Sequence, residues 1–141
     1  MKNKEPLKIF ILDDDKWYGT MLEYYLSLNP EFCVKRFDNA EDFIYALKEG
    51  TDVVTIDYVM PQSNGLQVLK QVKYHTPETE VIVVSAQEDV GLAVNLKRNG
   101  AYEYVIKNEE CCDNIQRSLK YLYNSWQKNI ENDFFEDPLN T

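Results

Sequence analysis

Five times along this chain a short apolar run gives way to a segment with helical periodicity. The first run is Lys8-Ile9-Phe10-Ile11-Leu12, followed by Trp17 to Leu28 with Met21, Leu22, Tyr25 and Leu26 at helical spacing. Phe32 to Phe37 is strand-like, and Asp38 or Asn39 caps a helix bearing Phe43, Ile44 and Leu47, closed by Gly50. Asp52 to Asp57 comes next, then a helix opened by Ser63 or Asn64 that carries Leu66, Val68, Leu69 and Val72 and ends before Pro77. Glu80 to Ser85 precedes a helix from about Glu88 to Arg98, closed by Asn99-Gly100. Tyr102 to Ile106 is the last run, and the final helix begins near Glu110 with Ile115, Leu119, Leu122, Trp126 and Ile130 on one stripe. Unbroken apolar runs fit strands buried on both faces, and such strands need helices on both sides. The alternation predicts an α/β fold, a doubly wound parallel sheet built from five βα units with right-handed crossovers.

The chain has 141 residues, 44% of them hydrophobic, which suits a single domain with a full core. Asp and Glu number 24 against 15 Lys and Arg, a net charge of −9 that disfavours direct nucleic-acid binding and anionic membrane surfaces. No apolar run approaches the roughly 20 residues of a membrane span. The opening Met1-Lys2-Asn3-Lys4-Glu5-Pro6 lacks the apolar stretch of a signal peptide. Cys33, Cys111 and Cys112 are an odd number of thiols, expected to be reduced, and a cytoplasmic location follows. His75 is the single histidine and leaves little for a zinc site.

Ligands of open α/β sheets lie beyond the carboxyl ends of the strands. The first strand ends in Asp13-Asp14-Asp15, the third in Asp57, the fourth in Ser85 and the fifth in Lys107. Singly, each has a plain reading: an Asp or Ser there is usually a cap, and a terminal Lys is usually solvated. Together they suit one reaction. Asp13, Asp14 and Asp57 repel one another unless a cation sits among them, and a hard divalent ion such as Mg²⁺ meets that need. Lys107 offers a point charge for one phosphoryl oxygen, Ser85 a hydroxyl for another, and Asp57 a nucleophilic carboxylate. The acidic first turn has none of the glycines of a dinucleotide or P-loop site. Asp57 is followed by Tyr58-Val59 and lacks the second acid of the haloacid-dehalogenase-type phosphatases.

Ile11-Leu12-Asp13-Asp14-Asp15, Thr55-Ile56-Asp57-Tyr58-Val59-Met60-Pro61, Asn64-Gly65, Val83-Val84-Ser85-Ala86 and Tyr104-Val105-Ile106-Lys107 stand in an order and spacing that resemble the response-regulator receiver domains of two-component signalling. The resemblance covers about Lys8 to Tyr123 and implies a single-domain flavodoxin-like (βα)5 fold with strand order 2-1-3-4-5. It implies that Asp57 is the phosphoacceptor, served by a sensor histidine kinase or phosphotransfer protein. Asp13, Asp14, Asp57 and the Val59 carbonyl would hold Mg²⁺. Ser85 and Tyr104 would form the switch, and Val59 and Gln87 would tune dephosphorylation. The fourth helix, fifth strand and fifth helix would form a reporting and homodimer face. The domain would be a signalling switch whose chemistry is limited to its own phosphorylation and slow dephosphorylation. The rival readings are the same fold used only as a binding module, and a phosphatase-type hydrolase.

The family usually has proline after the lysine, where this chain has Asn108, so the placement of Lys107 and a trans peptide there become questions for the structure. Gln87-Glu88-Asp89 and Lys107-Asn108 are similar to receivers attached to enhancer-binding, ATPase-type transcription activators. Residues 1–7 read as an N-terminal lead, 8–123 as the receiver domain, and 124–141 as an extended C-terminal helix with an acidic tail or linker whose one strong apolar pair is Phe134-Phe135. That extension fits a signalling helix toward an output domain or the end of a stand-alone regulator. Trp17 is expected to pack at the start of the first helix. Most of Tyr18, Tyr24, Tyr25, Tyr121 and Tyr123 are expected in ordinary helix packing.

Overall fold

Side-chain caps set where most of the helices begin. In the computed structural model, which describes residues 5–135 with side chains through Lys128, Asp15 accepts from the Trp17 and Tyr18 amides and opens α1 (Lys16–Ser27). Asn39 accepts from Asp42 N and opens α2 (Ala40–Ala46), which runs on into a 3₁₀ turn, Leu47–Glu49. Asn64 accepts from Gln67 N and opens α3 (Gly65–His75), and Asp89 accepts from Leu92 N and opens α4 (Val90–Arg98). Each such cap is worth about 1 kcal/mol. Gly50, at φ 85°, and Gly100, at φ 105°, stand just beyond α2 with its 3₁₀ turn and α4, in the left-handed region that a Cβ disfavours. The last helix, α5 (Cys111–Phe135), is the longest.

The strands are β1 (Leu7–Leu12), β2 (Phe32–Phe37), β3 (Val53–Asp57), β4 (Val59–Met60), β5 (Ser63–Asn64), β6 (Glu80–Ser85) and β7 (Glu103–Ile106). Five of them form one parallel sheet in the order β2-β1-β3-β6-β7. Setting aside the small β4–β5 hairpin, this is the 2-1-3-4-5 order of the flavodoxin-like fold. The hairpin, with Val59 opposite Asn64, adds two short strands to a stretch in which apolar periodicity predicts none.

Each sheet face buries its own layer, as the period of two requires. Leu7, Ile9, Ile11, Val53, Ile82, Val84 and Val105 pack with Leu22 and Leu26 of α1 and Ile115 and Leu119 of α5. Phe10, Leu12, Val54, Ile56, Val81 and Val83 pack with Phe43 of α2, Val68, Leu69 and Val72 of α3, and Leu96 of α4. The alternation continues past the strand ends. Asp13, Asp57 and Lys107 are in phase with Ile11, Val53 and Val105 and belong to the α1/α5 side. Ser85 is in phase with Val83, and Tyr104 itself packs on the α2/α3/α4 side.

Some expectations shift. β1 starts at Leu7, inside the stretch read as a lead, because Leu7 is buried against the sheet. Trp17 does not pack: it is 76% exposed, because the Asp15 cap phases α1 so that Tyr18, Gly19, Leu22 and Leu26 face inward. Tyr24 and Tyr121 are likewise exposed, whereas Tyr18 and Tyr123 are buried. The three cysteines are free thiols, with Cys111 buried and Cys112 half-buried. The stripe position Ile130, the Phe134-Phe135 pair and the acidic tail lie outside the described side chains. No helix among the described residues is long and apolar enough to cross a membrane.

Candidate functional site

Parallel register brings the strand ends into one row. Leu12 pairs with Ile56, Asp57 with Val84, and Ser85 with Ile106. Asp13 follows β1, Asp57 ends β3, Ser85 ends β6 and Lys107 follows β7. The loop after β3 is drawn tight by Gly65, whose amide donates to the Tyr58 carbonyl at 2.8 Å. A Cβ on Gly65 would stand 2.9 Å from Tyr58 Cα, so the approach needs glycine.

One carboxylate oxygen each from Asp13, Asp14 and Asp57 lies within 4.8 Å of the others. Lys107 Nζ stands 3.3 Å from Asp13 Oδ2 and 3.7 Å from Asp57 Oδ2. Asp13 is buried. Its Oδ1 accepts from Asp15 N at 2.9 Å, and its carbonyl accepts from Arg36 Nη2 at 3.2 Å. The cluster thus holds three carboxylates, and the one ammonium within it pairs with two of them. Burial raises the Asp13 carboxyl above its ordinary value, with the Asp15 amide and Lys107 opposing. Burial, then the neighbouring Asp13 charge, pushes Asp57 up to about 6, with Lys107 opposing. A cation would relieve this excess of negative charge, and the donors are all hard carboxylate oxygens, so the cluster fits a hard divalent metal. A surface cleft of about 390 Å³, lined by Asp14, Asn39, Met60 and Pro61 among others, opens beside it.

Ser85 is fully buried and its Oγ accepts from Gln87 N at 3.2 Å. The Tyr104 hydroxyl donates to the Gln87 carbonyl. The backbone of Gln87 thereby ties the two residues together, while its side chain is exposed. Val59, 59% exposed, stands at the rim. The Lys107–Asn108 peptide is trans, as are all peptides among the described residues. Lys107 N donates to the Ser85 carbonyl at 2.8 Å, and Asn108 Oδ1 accepts from Glu110 N at 2.9 Å, a turn that leads into α5. With asparagine there, the ammonium still reaches both carboxylates.

The sequence reading missed two neighbours of the cluster. Arg36 crosses from β2, packs over Gly19 and reaches the Asp13 carbonyl. Tyr18 lies under Lys107, with Nζ 4.0 Å from its ring centroid, and its hydroxyl meets Cys111 Sγ at 3.0 Å. Burial and the Cys111 contact raise the Tyr18 phenol well above its usual value and keep it protonated. The signal for Tyr18 was its helical phase with Leu22 and Leu26. Nothing local pointed to its partners just after β7 and on α5.

The chain is 31% identical over 125 residues to the DNA-binding transcriptional regulator NtrC of Proteus hauseri, a match covering 86% of this chain and 26% of that protein. It therefore spans about a quarter of the length of that relative. It is 29% identical over 102 residues to the chemotaxis protein CheY of Listeria monocytogenes, covering 72% of this chain and 86% of CheY. Among solved structures, the BeF3-activated DrrB receiver domain superposes with a TM-score of 0.74 at 28% identity, over 82% of this chain and 96% of that one. A CheY-like receiver domain protein from Methanospirillum hungatei superposes at 0.79 and 17% identity, over 89% and 99% of the two chains, a likeness of fold. Residues 9–117 match the response regulator receiver domain, a stretch that runs from the heart of β1 into α5 and takes in every strand end described above. The chain belongs to the response regulator receiver domains of two-component systems.

Proposed function

We propose that this receiver is a phosphoryl-accepting switch with Asp57 as its phosphoacceptor. The observation that carries this reading is the Lys107 ammonium held between the carboxylates of buried Asp13 and half-buried Asp57, in a cluster that Asp14 completes. An Asp57 carboxylate oxygen attacks the phosphorus of a phosphohistidine on a sensor histidine kinase or phosphotransfer protein. The P–O bond forms as the P–N bond breaks, its electron pair staying on the ring nitrogen, and the imidazole leaves neutral because its other ring nitrogen already carries a proton. Asp13, Asp14, Asp57 and the Val59 carbonyl are the residues that would hold Mg²⁺. When bound, Mg²⁺ supplies neutralising charge for the phosphoryl oxygens. Lys107 holds a phosphoryl oxygen as a point charge and Ser85 donates to another. For Ser85 to do so its hydroxyl turns from the Gln87 amide, and Tyr104 follows through the carbonyl of the same residue, which shifts a two-state equilibrium. Gln87 orients the hydrolytic water, and Val59 shields the acyl phosphate. Residues 8–123 act as the switch and 124–141 as its extension, in the cytoplasm, with no direct contact to nucleic acid or membrane.

The face for a partner or second copy is α4, β7 and α5, where Val90 is 80% and Val94 44% exposed. Turnover is confined to the domain's own phosphorylation and slow dephosphorylation, because no second acid flanks Asp57. Intact mass after incubation with acetyl phosphate and Mg²⁺ tests the reading. One phosphoryl adduct is expected, absent with EDTA and absent in Asp57→Asn. A wild-type protein that binds Mg²⁺ yet gains no adduct would overturn it in favour of a binding module.

A further inference from the structure

We propose that Tyr18 is a positioning residue for Lys107, its ring face acting as a shelf that keeps the ammonium over the carboxylate cluster. The proposal rests on the reading of Asp57 as phosphoacceptor for its kinetic consequence, but not for its geometry.

Lysine carries its charge on a flexible stem with many rotamers. Here the Lys107 backbone is fixed to Ser85, and the side chain has three neighbours: Asp13 Oδ2 at 3.3 Å, Asp57 Oδ2 at 3.7 Å, and the Tyr18 ring centroid at 4.0 Å. The two carboxylates are variable partners. Their pull on the ammonium changes when a cation joins the cluster and again when Asp57 becomes an acyl phosphate. The ring is neutral, and its attraction for a cation stays the same through both events. The ring is also unable to turn away. The Tyr18 amide is tied to the Asp15 cap at 3.2 Å, the hydroxyl meets Cys111 Sγ at 3.0 Å on the first residue of α5, and Tyr18 packs in the core layer that holds Leu22 and Ile115. A solvated lysine needs no such support. One that must stay beside a changing set of anions does.

Two measurements on the full chain decide this. NMR of the Lys107 side chain, assigned with Lys107→Arg, should place its Hε protons upfield of the other lysines. That shift should persist in Tyr18→Phe and vanish in Tyr18→Leu. Phosphorylation by acetyl phosphate should slow about fivefold to tenfold in Tyr18→Leu and less than about twofold in Tyr18→Phe. Mg²⁺ affinity by calorimetry should stay within about twofold in both, as the ring supplies no ligand oxygen to the cluster. Ordinary Lys107 shifts in the wild type would overturn the proposal. So would a folded Tyr18→Leu that is phosphorylated at the wild-type rate, or a Tyr18→Phe as slow as Tyr18→Leu. If Tyr18→Leu fails to fold, the wild-type and Tyr18→Phe spectra decide alone. A wild-type chain with the upfield lysine but no phosphoryl adduct would sink the phosphoacceptor reading and leave the shelf standing.

Discussion

Replacing Asp57 by asparagine should make the metal-free protein more stable at neutral pH. Asp57 sits with its side chain 10% exposed, close to Asp13, and its carboxyl is raised from 3.8 to about 6. The folded chain therefore holds this proton more tightly than the unfolded one. Stability from the group is fully present below pH 3.8 and is lost as pH rises through about 6. Above that window the charged form costs about 3 kcal/mol, the free-energy equivalent of the displacement. Asparagine keeps the shape and removes the charge, and Lys107 retains Asp13 as a partner. In urea at pH 7.5 with EDTA, a slope of about 1–2 kcal/mol per molar turns this into a midpoint about 1.5–3 M higher for Asp57→Asn. At pH 5 about half of the difference should remain. An Asp57→Asn midpoint equal to or below wild type at pH 7.5 would refute the reasoning, since the Lys107 pair would then outweigh burial and the Asp13 repulsion.

Mg²⁺ should raise the wild-type thermal midpoint at pH 7.5, since a cation that binds only the folded cluster stabilises it by mass action, and scanning fluorimetry of Asp13→Asn should show a clearly smaller rise. Gly65→Ala should cost about 1–3 kcal/mol by urea unfolding, because the new methyl would meet the Tyr58 backbone at 2.9 Å. Val59→Asn should shorten the life of the phosphorylated form, followed by intact mass after removal of phosphodonor; an unchanged or longer life would discard the shielding role. Asn64→Ala should lower stability by about 1 kcal/mol through loss of the α3 cap at Gln67 N, again read in urea.

The five βα units were legible because strands buried on both faces leave unbroken apolar runs, while helices buried on one side leave a stripe. Both patterns are local. The strand-end residues Asp13, Asp57, Ser85 and Lys107 were legible for a related reason: in a parallel sheet every strand delivers its last residue to the same edge. Tertiary contacts were not written locally. Trp17 and Tyr18 look alike in sequence, and the cap at Asp15 decides which is buried. The partner that fixes the Tyr18 hydroxyl is 93 residues away. The β4–β5 hairpin has only two residues per strand and depends on the tight closure at Gly65, which periodicity does not report.

The pleat of the sheet makes its C-terminal edge a divider. Lys107 and Asp57 fall on the side covered by α1 and α5, and Ser85 and Tyr104 on the side covered by α2, α3 and α4. On the proposed reading, a phosphoryl group on Asp57 would engage both helical layers, through Lys107 on one side and Ser85 with Tyr104 on the other, the two sides joined where the Lys107 amide donates to the Ser85 carbonyl. A protein docked on either face would then sense that event without occupying the other face. Replacing Tyr104 on one side should leave the Lys107 contacts to Asp13 and Asp57 on the other in place.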